Sequence, residues 1–114
     1  MQAVTDSVDI ATLTKMAENM FGRIVKAVVD IERNIMVIDA KMHSDEELFL
    51  LEDGSEQGNL WGINLSPAHW GTDGFVVFDS MINLRPSWGN RTRGVDDPST
   101  QEKIKKLVYK LVKE

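Results

Sequence analysis

The chain has no cysteine among its 114 residues, so disulfides, thiolate chemistry and cysteine-ligated zinc are excluded from the start. No apolar run approaches the ~20 residues that a membrane span requires. The opening Met-Gln-Ala-Val-Thr-Asp has neither the basic start nor the apolar stretch of a secretory signal, so a soluble, cytoplasmic protein without membrane contact is expected. Catalytic signatures are missing as well. There is no Gly-x-Ser-x-Gly elbow around Ser80, no Walker-type Gly-Lys-Ser/Thr, no Gly-x-Gly-x-x-Gly after a strand and no His-x-x-x-His pair. Positive charge is in short supply too. A net charge of −5 argues against broad attraction to nucleic acid or anionic lipid, since phosphate neutralisation needs clustered Lys and Arg.

What is present suits one compact α+β domain. Ile10, Leu13, Met16, Ala17, Met20 and Phe21 recur at spacings of three and four, which predicts a helix over about 7–21, capped by Asp6 or Ser7 and ended by Gly22. β-Branched runs predict strands over about 24–31 and 35–41, joined as a hairpin through Asn34, a residue that tolerates positive φ. Residues 48–52 and 59–65 flank the turn-rich Asp53–Gly58 and read as a second hairpin; Ser44-Asp-Glu-Glu47 also fits a capping box, which would make 45–52 a short helix instead. The strand is the preferred reading, because the apolar run is short and bounded by glycine. A long strand is expected over 74–84. A last helix follows over about 98–113, capped by Asp97 or Ser99, with Ile104, Leu107, Val108 and Leu111 as its buried stripe. The expected architecture is an antiparallel four- to five-stranded sheet with the two terminal helices on one face.

Charges are segregated. Residues 45–56 hold six acids and no base, whereas the 85–93 loop holds Arg85, Arg91 and Arg93 with Trp88 and Asn90 and no acid. Guanidinium forks match carboxylate or phosphate, and Asn90 adds an amide donor and acceptor. This loop is therefore the candidate ligand or partner site, for an anionic or polar small molecule, with Trp88 as an apolar anchor. The duller reading is that Arg85 and Arg91 pin the loop to Asp79, Asp96 and Asp97. Asp96 and Asp97 stand against phosphate at the adjoining helix N-terminus. Patches of opposite sign also favour self-association as a homodimer.

A second cluster is His43, Asp45 and Glu47. In an extended segment alternate residues share a face, so one imidazole and two carboxylates would converge on a divalent metal. That arrangement supports a small metal-assisted enzyme as the alternative to a binding or interaction module; a solvated acidic turn is the plainer reading. Asp39, Glu46 and Asp79 offer further carboxylates with nothing to select among them. Nucleic-acid binding, with Trp88 stacking beside the arginines, ranks third.

Leu51-Glu-Asp-Gly-Ser55, Asn59-Leu-Trp-Gly-Ile-Asn-Leu65, Ser80-Met-Ile-Asn-Leu-Arg-Pro86 and Gly89-Asn-Arg-Thr92 together resemble a small prokaryotic family classed only as a domain of unknown function. The resemblance runs from about Ile24 to the start of the last helix and leaves the N-terminal helix outside. It implies a bacterial or archaeal protein, carries no established activity, and brings His43, Glu46, Asn64, Asn83, Arg85, Asn90 and Arg91 into the matching region.

Overall fold

The computed structural model describes residues 1–20 and 22–114. Among them the chain forms three α-helices, α1 (Ile10–Met20), α2 (His43–Glu52) and α3 (Pro98–Leu111). The strands are β1 (Gln2–Val4), β2 (Val8–Asp9), β3 (Val25–Asp30), β4 (Ile35–Ile38), β5 (Leu60–Leu65), β6 (Val76–Val77) and β7 (Val112–Lys113). Five of these make one sheet in the order β1-β4-β3-β5-β6 with every pairing antiparallel. β2 and β7 form a separate parallel pair, Val8 opposite Val112. No helix among the described residues is long and apolar enough to cross a membrane.

Several expectations need correction. Residues 48–52 are helical: His43–Glu52 contains no β-branched residue, and its Leu and Glu favour helix, which decides the choice that the apolar run left open. The capping box does not form either. The N-cap is Met42, without a side-chain cap, while Asp45 and Glu46 lie in the first turn, where they oppose the positive end of the dipole. The second hairpin is accordingly replaced by a crossover in which α2 carries the chain from β4 across β3 to β5. The long strand over 74–84 shrinks to Val76–Val77. β1 supplies the fifth strand from residues too few to show a period.

At the first helix, Asp9 rather than Asp6 or Ser7 takes the cap role, accepting from Thr12 N at 2.7 Å. The helix buries Leu13 and Ala17, and Gly22 closes it at φ +78° by donating to the carbonyl of Ala17. Phe21, part of the expected stripe, lies outside the described residues. The hairpin turn has Asn34 at φ +58°, as its side chain allows. In α3, Asp97 accepts from Ser99 N and Thr100 N, and the buried residues are Ile104, Leu107, Val108 and Leu111.

Strand alternation sorts the core into two layers. Val25, Ala27, Val29, Met36, Ile38, Ile63 and Leu65 cluster with buried residues of α1 and α3. Val28, Ile35, Val37 and Leu60 cluster with Leu50 of α2 on the opposite face. On that second face the apolar layer stops at Val28, because the next residue along β3 to point the same way is Lys26, paired across the strands with Asn64. The sheet face under α2 is therefore apolar at one end and polar at the other.

Candidate functional site

The polar end is walled by a strap, residues 79–94, that leaves β6 and folds back over β5. Ser80 begins it by accepting from Ile82 N at 3.3 Å, a local bond that diverts the backbone from the ladder into a tight turn at Met81–Asn83. Asn83, fully buried, then substitutes for a strand. Its Oδ1 accepts from Gly62 N and its Nδ2 donates to Gly62 O, both at 2.8 Å, with a further bond to Arg93 O at 3.1 Å. Gly62 is required by this approach, since a Cβ there would lie 2.5 Å from both Cβ and Oγ of Ser80. One step along the same edge, Arg85 donates to Leu60 O at 2.9 Å and to Gln57 O at 2.8 Å. Its guanidinium sits 4.3 Å from the Trp61 ring centre and 5.5 Å from that of Trp88.

The rest of the loop is knotted by Asn90. Its buried amide donates to Asn83 O at 2.7 Å, Gly94 O at 2.9 Å and Thr92 O at 3.1 Å, and accepts from Asp96 N at 2.8 Å. Backbone bonds in both directions between Arg85 and Asn90 close the turn, with Gly89 at φ +90°. The expected pinning exists with different partners. Arg93, not Arg85 or Arg91, pairs with Asp79, at 2.8 Å. Asp96 receives the Arg91 backbone N–H, and Asp97 caps α3. Of the five loop residues singled out in the sequence, Asn90 and Arg85 thus spend their polar groups on the chain itself. Trp88 and Arg91 are exposed, and Arg93 turns toward the polar end of the sheet.

There the chain forms an open cleft of about 200 Å³. Lys26 and Asn64 form its floor, His43 and Ser44 at the start of α2 one wall, and Asp79, Ser80 and Arg93 of the strap the other. His43 Nε2 lies 2.7 Å from Ile63 O; a carbonyl only accepts, so Nε2 carries the proton. Burial holds the imidazole below its ordinary pKa, against the pull of that bond, and Lys26 pushes the same way. Asp79 and a side-chain hydrogen bond with Asn64 pull the other way. Asn64 Nδ2 donates to Asp79 O at 3.2 Å, which fixes the amide with its Oδ1 buried.

Three residues beyond His43 along α2, Glu46 is fully buried, with Oε2 accepting from Ala40 N at 3.3 Å and Oε1 unpartnered. Burial pushes its pKa up to about 9, only partly offset by the Ala40 bond and Lys26, so the carboxyl is protonated at neutral pH. Glu47 is also raised by burial, with Gln57 and Arg85 acting against that rise.

The helix changes what His43, Asp45 and Glu47 can do together. At 100° per residue Asp45 is turned ~200° from His43, while Glu47 returns to the same side. His43 is buried, Asp45 exposed and Glu47 half-buried. The shared face that an extended segment would have supplied is lost, and no group of three His, Asp or Glu among the described residues is placed to hold a metal ion. Lys26 is the cleft residue that the sequence reading missed, although a single lysine within Ile24-Val-Lys-Ala-Val-Val29 was a visible signal.

The fold and cleft define a small α+β domain in which a side-chain-stapled strap roofs the polar end of an antiparallel sheet. The chain belongs to the family described as protein of unknown function (DUF5674), whose model matches residues 2–111. That match takes in α1, which the resemblance read from the sequence had left out. No curated protein and no solved structure matches the chain.

Proposed function

We propose that the protein is a small-molecule binding module whose cleft takes a small polar anion. The observation that carries this reading is the convergence of Lys26, His43, Asn64, Asp79 and Arg93, from separate segments, around one cleft. Lys26 and the Arg93–Asp79 ion pair line it together, so the charged side chains of the cleft sum to one positive charge. The sequence-based expectation of an anionic or polar ligand is kept, and its site moves from the outer loop to the inner side of the strap. A cleft of about 200 Å³ is below the ~300–1,000 Å³ of sites for drug-sized ligands, so the ligand is a few heavy atoms across. The test is thermal unfolding of the untagged protein with a panel of small carboxylates and phosphates. A ligand at 100 times its Kd adds about 2.7 kcal/mol of stability. Arg93→Ala and His43→Gln should abolish the shift. A panel that leaves the melting temperature unchanged refutes the reading.

A second reading, self-association, rests on a different observation. Leu48 on the outer side of α2 is 54% exposed, and Met42, Phe49 and Leu51 are exposed beside it. Leu48 and Phe49 line a groove that Asp45, Glu52 and Asp53 border, so two copies meeting there would repel unless salt screens them. Sedimentation velocity should then show a dimer favoured by salt and lost in Phe49→Ser; a monomer throughout rejects it.

A further inference from the structure

Two surfaces of the chain stand open and carry opposite charge. One is the turn of the strap closed by Arg85 and Asn90. Trp88 is 60% exposed there, and Leu84 is exposed in the same segment. Arg91 bonds to Asp96 through its backbone N–H alone, and its guanidinium has no hydrogen bond or ion pair among the described residues. Arg85, 5.5 Å from the Trp88 ring, spends its fork on carbonyls and so keeps its charge. The other surface is the groove of about 650 Å³ beside α2, where Leu48 and Phe49 meet Asp39, Asp45 and Glu52. Among the described residues none of these three acids is ion-paired, whereas Asp53 is matched by Arg33 at 2.6 Å. Lys41 is the only basic side chain in the lining.

Two copies meeting groove to groove set acid against acid, whereas the strap turn brings base to the groove. We propose that the Arg85–Arg91 turn of one copy docks in the α2 groove of a second copy, with Trp88 against Leu48 and Phe49 and Arg91 facing Asp45 and Glu52. The proposal rests on the self-association reading above and changes what fills the groove. Tryptophan and arginine are the residue types that most often dominate interfaces. The Asn90 bonds and the backbone pair between Arg85 and Asn90 hold the turn in one shape before contact, which lowers the ordering cost of docking. Asp96 and Asp97, the acids next to the turn in sequence, are occupied by Arg91 N–H, by Thr92 and by the cap of α3. Turn and groove are different patches, so a copy that lacks one still offers the other.

The experiment is sedimentation velocity of the full chain across protein concentration and salt. The unaltered chain should self-associate, and salt should weaken the association, the opposite of a groove-to-groove contact. Trp88→Ala and Phe49→Ser should each weaken it by about thirtyfold, the loss of one dominant interface side chain. Mixing those two variants should restore association, since the first keeps its groove and the second its turn. Arg91→Glu should also weaken assembly, and adding Glu52→Arg to the same chain should recover it. The salt dependence is read on the unaltered protein and stands even if a variant fails to fold. Association that salt strengthens, or that Trp88→Ala leaves unchanged, overturns turn-in-groove docking while leaving self-association through α2 intact. Variants that stay apart on mixing overturn it as well. A monomer at every concentration refutes the self-association reading, and this inference with it.

Discussion

Replacing Asn83 with alanine tests whether a side chain stands in for a strand. β6 pairs with β5 only at Asn64 and Leu65, so the edge of β5 beyond that point is satisfied by Asn83 at Gly62 and by Arg85 at Leu60. Alanine removes three hydrogen bonds and leaves Gly62 N–H and Gly62 O without their partner, while Arg93 O keeps the Ser80 N–H. An unsatisfied buried group costs ~1–3 kcal/mol, and both of these belong to a buried strand. Because the strap can lift and admit water, the lower part of the resulting range applies, about 2–3 kcal/mol. Against a total stability of ~5–15 kcal/mol for a domain, that is a large fraction. Urea unfolding should register it, and in a thermal scan Tm should fall by roughly 8 °C or more. Hydrogen exchange localises it: the Gly62 amide should lose protection while Ala27 and Val29, in the centre of the sheet, keep theirs. Asn83→Asp separates donor from acceptor. The carboxylate still accepts from Gly62 N but confronts two carbonyls, so this variant should be at least as unstable at pH 7 and should recover partly in acid, when an O–H donor returns. A loss below 1 kcal/mol in Asn83→Ala, or an unchanged Gly62 exchange rate, would show that the staple is incidental.

Three further outcomes follow from the same geometry. Gly62→Ala places a methyl 2.5 Å from Ser80 and should cost about 1–3 kcal/mol by urea unfolding while displacing the strap signals in NMR; a neutral result would mean the strap does not press on β5. Glu46 keeps its proton to about pH 9 when folded but only to about 4.5 when unfolded, so its contribution is complete below pH 4.5 and declines as pH rises through 9. Glu46→Gln, which cannot ionise, should therefore gain on the wild type between pH 5 and pH 8 by up to about 1.4 kcal/mol per pH unit, and parallel stability curves would contradict a buried neutral carboxyl. Arg85→Lys keeps the charge but loses the fork that reaches Leu60 O and Gln57 O together, so stability should fall by about 1–2 kcal/mol and tryptophan fluorescence from the Trp61–Trp88 pair should change; an unaltered spectrum would place the guanidinium elsewhere.

The parts of this fold that were legible in the sequence are those decided by periodicity over many residues. The α3 stripe, the Asn34 turn and the β3–β4 hairpin emerged as read, because apolar spacing and turn chemistry act locally there. Residues 43–52 went the other way because only Leu50, His43 and Glu46 are buried and the apolar residues run all round the helix, so no stripe marked it. Propensity rather than pattern was the better guide: Leu and Glu without a β-branched neighbour. β1 and the β2–β7 pair are two or three residues long, and their partners lie more than 30 residues away, which no local signal encodes.

The site failed to show itself for a related reason. The sequence drew attention to the loop with most arginines, yet arginine and asparagine also serve to satisfy backbone that regular structure leaves open, and Arg85 and Asn90 do that here. A strand edge ending after two paired residues needs donors and acceptors from somewhere, so the polar residues closest to the edge are the ones consumed by it. One register step further along, Lys26 interrupts the apolar alternation of β3 opposite Asn64. An apolar pair at those positions would have extended the Val28–Val37–Leu60 layer beneath α2 and closed the face. Lysine and asparagine keep it open, and Arg93 and Asp79 of the strap then roof a polar space rather than a core. The irregular strap and the polar cleft are thus two consequences of one choice at the open end of the sheet.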